Sequence, residues 1–173
     1  MRNPFPAMAA IAFALLVATL TMSAVALPAI AQEDAVSFEI SHHHVGMSVP
    51  NAEESAAWYG KMLGFEVVAR MKDDGVNKMN IVHIKRGNSY IELFEVKDAK
   101  PLPEYRRNPD KDLTVHGLVH MAFQVPDVMA AVRELKAKGA EIAREPVDTP
   151  GIAFVFIRDN AGNCFELIQY KNR

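Results

Sequence analysis

Two stretches of the chain repeat one alternation of apolar and polar positions. Val45, Met47 and Val49 fall on one side of an extended strand, with His44, Gly46 and Ser48 on the other. At 76 residues' distance Met121, Phe123 and Val125 oppose His120, Ala122 and Gln124 in the same way. A period of two is that of a strand with one face on a core. In both copies a proline follows, then Asn51 or Asp127, residues that cap helices, with Glu54 placed as the capping-box partner of Asn51. Helical spacing then takes over, with Trp58, Met62 and Leu63 in the first copy and Val128, Val132 and Leu135 in the second, and Gly64 and Gly139 as stops.

Beyond each stop the pattern returns to strands, predicted at 65–71 and 140–145, and again at 79–85 and 152–158. Turn residues separate them at Asp73-Asp74-Gly75 and Asp148-Thr149-Pro150-Gly151. Tight turns at 86–88 and 159–163 lead to fourth strands, Ile91-Glu92-Leu93-Phe94-Glu95-Val96 and Phe165-Glu166-Leu167-Ile168-Gln169-Tyr170. The chain therefore predicts an α+β fold of two tandem β-α-β-β-β modules, over 40–96 and 118–171. A polar, Pro-rich connector over 97–117 joins them, within one domain of 38–173. Neither sheet can cover its apolar face with one helix alone, so the modules must pair.

The repeat also repeats chemistry. Alternation puts Tyr90, Glu92 and Phe94 on one face of the first module and Cys164, Glu166 and Ile168 on one face of the second. A carboxylate among apolar neighbours on a mid-sheet strand is costly unless it is paired or binds a cation. With His44 and His120 the two glutamates make a set of two imidazoles and two carboxylates, the donors of a divalent-metal site. His42, His43 and His44 are adjacent but cannot all converge on one ion from a strand, and the repeat selects His44. His83 and His116 have no partner in the repeat and read as incidental. Arg106 and Arg107 read as solvated loop charges, and the single Cys164 as a small buried filler that rules out an intramolecular disulfide.

On these residues the chain resembles the vicinal oxygen chelate (VOC) superfamily. The resemblance is carried by the His44–Val49 stretch, Trp58-Tyr59, Leu63-Gly64-Phe65, Ile91-Glu92-Leu93, His120–Val125 and Phe165-Glu166-Leu167. It implies a U-shaped sheet around a metal-binding cavity, with His44, Glu92, His120 and Glu166 as ligands of one divalent ion (Ni, Zn, Co, Mn or Fe). Four filled positions are similar to the glyoxalase I and epimerase branch rather than to extradiol dioxygenases, which typically use two His and one carboxylate. In that branch a Glu, here Glu166 or Glu92, removes a proton beside a carbonyl while the ion holds the enediolate. Ser48 and Val96 stand where bacterial glutathione-using glyoxalases often have Arg and Asn, so glutathione is not implied. The resemblance thus implies a metal-dependent lyase or isomerase for a small oxygenated carbonyl compound. An epimerase or racemase, a ring-cleaving dioxygenase, and a binding protein for a small toxin or antibiotic stand as alternatives. The partners expected are a small-molecule substrate and, as a candidate assembly, a homodimer.

Charge and the leader narrow the setting. The net charge of −2 does not favour nucleic acid. Arg2 precedes a nearly unbroken apolar run from Ala7 to Ile30 that ends in Ala29-Ile30-Ala31 before Gln32-Glu33-Asp34, the pattern of a secretory signal peptide over 1–31. The alternative, a retained anchor, fits the length of the run but not Pro28 or the small-residue end. A periplasmic or secreted protein without stable membrane association after cleavage is expected. Intact-mass analysis of the exported protein should give a chain starting at Gln32; a membrane-bound species keeping residues 1–31 would refute the leader.

Overall fold

The computed structural model describes residues 38–75 and 78–171. The expected leader therefore lies outside the described residues. The described residues from Ser41 onward form one compact unit, which holds both predicted modules apart from Ile40. Among the described residues no helix is long and apolar enough to cross a membrane.

Two four-stranded mixed sheets are built in the same way. The first has β1 (Val45–Ser48), α1 (Ala52–Leu63), β2 (Glu66–Asp73), β3 (Met79–Arg86) and β4 (Ser89–Val96), in spatial order β1-β4-β3-β2. A 3-10 turn (Glu104–Arg107) and a short α2 (Pro109–Asp112) come next. The second sheet has β5 (Met121–Gln124), α3 (Val128–Lys138), β6 (Glu141–Asp148), β7 (Ile152–Arg158) and β8 (Cys164–Tyr170), in order β5-β8-β7-β6. In each module the first strand pairs in parallel with the fourth, and the helix carries the chain from the first strand to the second at the far edge of the sheet. The predicted β-α-β-β-β repeat is the fold observed.

The helix ends follow from local chemistry. Asn51 and Asp127 accept hydrogen bonds from the backbone N–H of Glu54 (3.0 Å) and Ala130 (2.8 Å), each worth about 1 kcal/mol. Gly64 and Gly139 end the helices at φ 68° and 89°, the left-handed region where a Cβ is penalised. A second tie was not expected. The first helical N–H of α1 at Ala52 donates to Glu95 (3.0 Å), and that of α3 at Val128 donates to Gln169 (3.1 Å). Glu95 and Gln169 each lie three residues beyond the module's glutamate, so each fourth strand is pinned to the start of its own helix.

One core serves both modules. Val82, Ile84, Ile91 and Leu93 of the first sheet join Val155, Ile157, Phe165 and Leu167 of the second, with Tyr59, Met62 and Leu63 of α1 and Val128, Val132 and Leu135 of α3. Rings cross the junction: Phe65 meets Phe123 at 5.7 Å, and Trp58 meets Phe165 at 6.1 Å, centroid to centroid. In α1 it is Tyr59 that is wholly buried, while Trp58, predicted for the apolar face, is half-buried against the core. The Tyr59 hydroxyl donates to Asp159 Oδ2 at 3.0 Å, tying α1 to the β7–β8 turn. Asp159 also accepts from Ala161 N, Asn163 N and Asn163 Nδ2. Burial pushes its carboxyl above the ordinary aspartate range, against the pull of those bonds.

The connector is more ordered than its polar composition predicts. Arg106 pairs with the buried Asp112 (3.2 Å) and donates to the Leu118 carbonyl (2.7 Å), so it is structural and not a solvated charge. Arg107 remains exposed. The strands β2 and β6 run to Asp73 and Asp148, past their predicted ends. Their partners β3 and β7 supply hydrogen bonds that turn-forming residues do not forbid at a sheet edge.

Removing the buried hydroxyl in Tyr59→Phe should cost about 1.5–3 kcal/mol, the scale of a hydrogen bond to a charged group. Urea unfolding should show a lower midpoint at unchanged slope; an unshifted midpoint would mean that this bond does not join the modules.

Candidate metal centre

The alternation on β4 sends Ile91 (1 % exposed) and Leu93 (0 %) into the core and leaves Glu92 on the opposite face. On β8, Phe165 and Leu167 are buried in the same way and Glu166 faces out. The parallel register sets Gly46 beside Glu92 and Ala122 beside Glu166. Each histidine stands two residues before that small residue and so reaches its module's glutamate. His44 Nε2 lies 3.3 Å from Glu92 Oε2, and His120 Nε2 lies 3.4 Å from Glu166 Oε2. The structure thus brings the four residues singled out in the sequence together as two pairs. Among the described residues no three such groups close into a cluster that could hold a metal ion. Each imidazole is turned directly on its own carboxylate instead.

These spacings suit ligands. A good N–H···O bond runs about 2.7–3.2 Å, and both pairs are longer. Two donors at roughly 2.0–2.2 Å from one ion, at angles between square and tetrahedral, stand about 2.8–3.6 Å apart. Both pairs fall inside that interval. The glutamate side chains are 17 % and 14 % exposed and the histidines 43 % and 27 %, so the donors are open to an ion without being fully hydrated. His43 Nδ1 sits 2.7 Å from His44 Nδ1 and its ring stacks on Tyr90 (5.4 Å). With Nδ1 engaged, His44 can present Nε2 as the lone-pair donor. The neighbouring His43, which the repeat does not select, thus holds the His44 ring in place.

One finding departs from expectation. His83 is not incidental: its Nε2 is 2.7 Å from Glu92 Oε1, on the oxygen opposite to His44. Its position directly across from Glu92 in the β3–β4 register could have been found by counting back through the Arg86-Gly87-Asn88 turn. Gly46 lies under an aromatic ring of its own sheet. A Cβ there would come within 2.9 Å of the Phe94 ring, so the glycine makes room for an aromatic side chain. His116 is exposed, with no role in either pair. Cys164 is half-buried, and burial pushes its thiol up to about 11, consistent with an unreactive filler.

A cavity of about 810 Å³ opens between β1, the connector and the start of β5, reaching His120, Met47 and Cys164. Lys100 and Arg107 line it and have no ion-pair partner among the described residues. Of the four paired residues only His120 lines it, so this cavity adjoins the second pair alone.

Comparison with known proteins bears on the family and the fold. The family model of the Glyoxalase/Bleomycin resistance protein/Dioxygenase superfamily matches residues 41–167. An uncharacterized Bacillus subtilis protein, YwkD, is 33% identical over 122 residues, covering 69% of this chain and 88% of its own. The ethylmalonyl-CoA/methylmalonyl-CoA epimerase of Cereibacter sphaeroides is 31% identical over 102 residues, 58% of this chain and 72% of that one. Among solved structures, the fosfomycin resistance protein FosX from Listeria monocytogenes, complexed with Mn(II) and sulfate, superposes with a TM-score of 0.56 at 17% identity. The match covers 78% of this chain and 96% of FosX, and at that identity it speaks for the fold. The described fold, the doubled His–Glu pairs and the family match lead to one conclusion: the chain belongs to the Glyoxalase/Bleomycin resistance protein/Dioxygenase superfamily.

Proposed function

We propose that the chain is a divalent-metal-dependent lyase or isomerase of the glyoxalase type, which moves a proton at a carbon next to a carbonyl in a small oxygenated compound. The observation that carries this reading is the pair of His–Glu contacts at 3.3 and 3.4 Å, at equivalent places in the two modules and on the faces opposite the core. Two neutral nitrogen donors and two anionic oxygens suit Ni, Zn, Co, Mn or Fe better than Mg or Ca, which favour all-oxygen shells. When bound, the ion supplies Lewis-acid polarisation of a substrate oxygen.

The chain's own residues would do the rest. His44, Glu92, His120 and Glu166 would hold the ion, and the sheet behind each glutamate keeps its carboxylate from turning into the core. One glutamate would leave an oxygen free to take the proton and return it. Glu166 is favoured, because apart from the His120 contact neither of its oxygens has a hydrogen-bond partner among the described residues. Lys100 and Arg107 would draw an anionic substrate group toward the cavity beside His120.

Relatedness to ethylmalonyl-CoA/methylmalonyl-CoA epimerase favours a second reading, in which the proton returns to the other face of the same carbon. The two modules then supply a carboxylate to each side. The leader expected at 1–31 would place either activity in the periplasm or outside the cell.

Purified protein should hold roughly one divalent ion per chain, and Glu92→Ala or His120→Ala should each weaken its binding, since each removes a donor. Metal analysis that finds wild-type content in both variants would remove the site.

Glu166→Gln keeps the shape and one oxygen donor but loses nearly all basicity. It should retain part of the metal and lose activity by about 100-fold or more, with Glu92→Gln milder. The readout is hydrogen–deuterium exchange at the substrate carbon. Wild-type exchange in both variants with metal bound would make neither glutamate the base.

A further inference from the structure

The two modules are alike in sequence pattern, but the third strand breaks the likeness at the carboxylates. The β3–β4 register sets His83 directly across from Glu92, whereas the β7–β8 register sets Phe156 across from Glu166. His83 Nε2 lies 2.7 Å from Glu92 Oε1, while His44 Nε2 lies 3.3 Å from Oε2. Phe156 instead packs its ring edge-on against His120, at 5.0 Å between centroids, and offers Glu166 no hydrogen bond. We infer that His83 is a positioning residue: it clamps Glu92 Oε1 so that Oε2 is presented, with His44, as a fixed metal donor. The division of labour between the two glutamates follows from it. This inference rests on the proposed metal site and deepens it.

The geometry separates a clamp from a fifth ligand. At 2.7 Å the contact is at the short end of hydrogen bonds made by a carboxylate, and it is shorter than the roughly 2.8–3.6 Å between two donors on one ion. It also uses the oxygen that His44 does not face. The His83 side chain is 31 % exposed and Glu92 is 17 % exposed, so the bond is partly shielded from competing water. A carboxylate whose second oxygen is engaged loses rotational freedom about its last bond, and a ligand fixed before the ion arrives costs less entropy to order. Glu166 has no such clamp, so its second oxygen stays free for substrate. Gly46, the β1 partner of Glu92, lies under the Phe94 ring at the same corner of the first sheet.

The test is Mn(II) chloride titrated calorimetrically into metal-free full-length protein, at one pH, with thermal unfolding of the metal-free forms measured alongside. His83→Phe copies the residue at the matching place in the second module. It should weaken Mn(II) binding by about 10-fold or more, the scale for losing a partner of a metal ligand, while metal-free unfolding stays as in wild type. His83→Gln, whose amide can still donate to Glu92 Oε1, should restore most of the affinity. His83→Asn, too short to reach, should behave like His83→Phe and serves in its place if the phenylalanine variant does not fold. Wild-type affinity in the Phe and Asn variants would overturn the clamp. A Gln variant as weak as Phe would also overturn it, since the imidazole would then be acting as a ligand. If wild-type protein itself binds no Mn(II), the proposed metal site is what fails.

Discussion

Everything at the candidate site hangs on the two-residue alternation of the fourth strands. Ile91, Leu93, Phe165 and Leu167 are all at or below 2 % exposure, and burying each side chain of that size contributes about 1.5–3 kcal/mol. A slip of either strand by one residue would expose two of them and drive a glutamate into the core. The hydrophobic term thus fixes the side on which Glu92 and Glu166 emerge. The parallel pairing with β1 and β5 fixes which histidine each one meets. The His–Glu pairs need no stabilising chemistry of their own, because they are a by-product of register.

The helices add a second lock. Their first free N–H groups are taken by Glu95 and Gln169, from the same strands that carry the site glutamates. An unpaired helix N–H is costly when shielded, so each strand end is held at a set height along its helix. The junction between modules is held by packed rings and by the Tyr59–Asp159 bond, with burial holding the Tyr59 phenol well above its usual range. The proposed site, divided between two modules, would need that rigidity, since preorganised donors avoid reordering when charge develops.

Where the modules differ, the differences gather on the site faces. Gly46 with Phe94 stands where the other module has Ala122 with Ile168, and His83 stands where the other has Phe156. The core faces of the third and fourth strands, in contrast, exchange one apolar side chain for another, as Ile91 for Phe165 and Leu93 for Leu167. A doubled fold keeps its repeat where burial enforces it and is free to diverge where solvent and ligand are the neighbours, which is where two carboxylates can acquire different tasks.

Local pattern alone was enough to specify the β-α-β-β-β repeat, the caps at Asn51 and Asp127 and the stops at Gly64 and Gly139, and to single out His44, Glu92, His120 and Glu166. Periods of 2 and 3.6 and capping chemistry are local, and the repeat checks each local reading against a second copy. The same pattern made the lone Cys164 a filler. Contacts across strands and between modules lie beyond its reach. Hence Tyr59 rather than Trp58 fills the core beside Asp159, Phe94 occupies the space over Gly46, and Arg106 is spent on Asp112. That the four donors stand as two His–Glu pairs, and that His83 holds one of them, emerges only once the strands are paired in space. Register between strands is set by turn geometry and by which side chains the shared core accepts, and a single residue's identity carries neither.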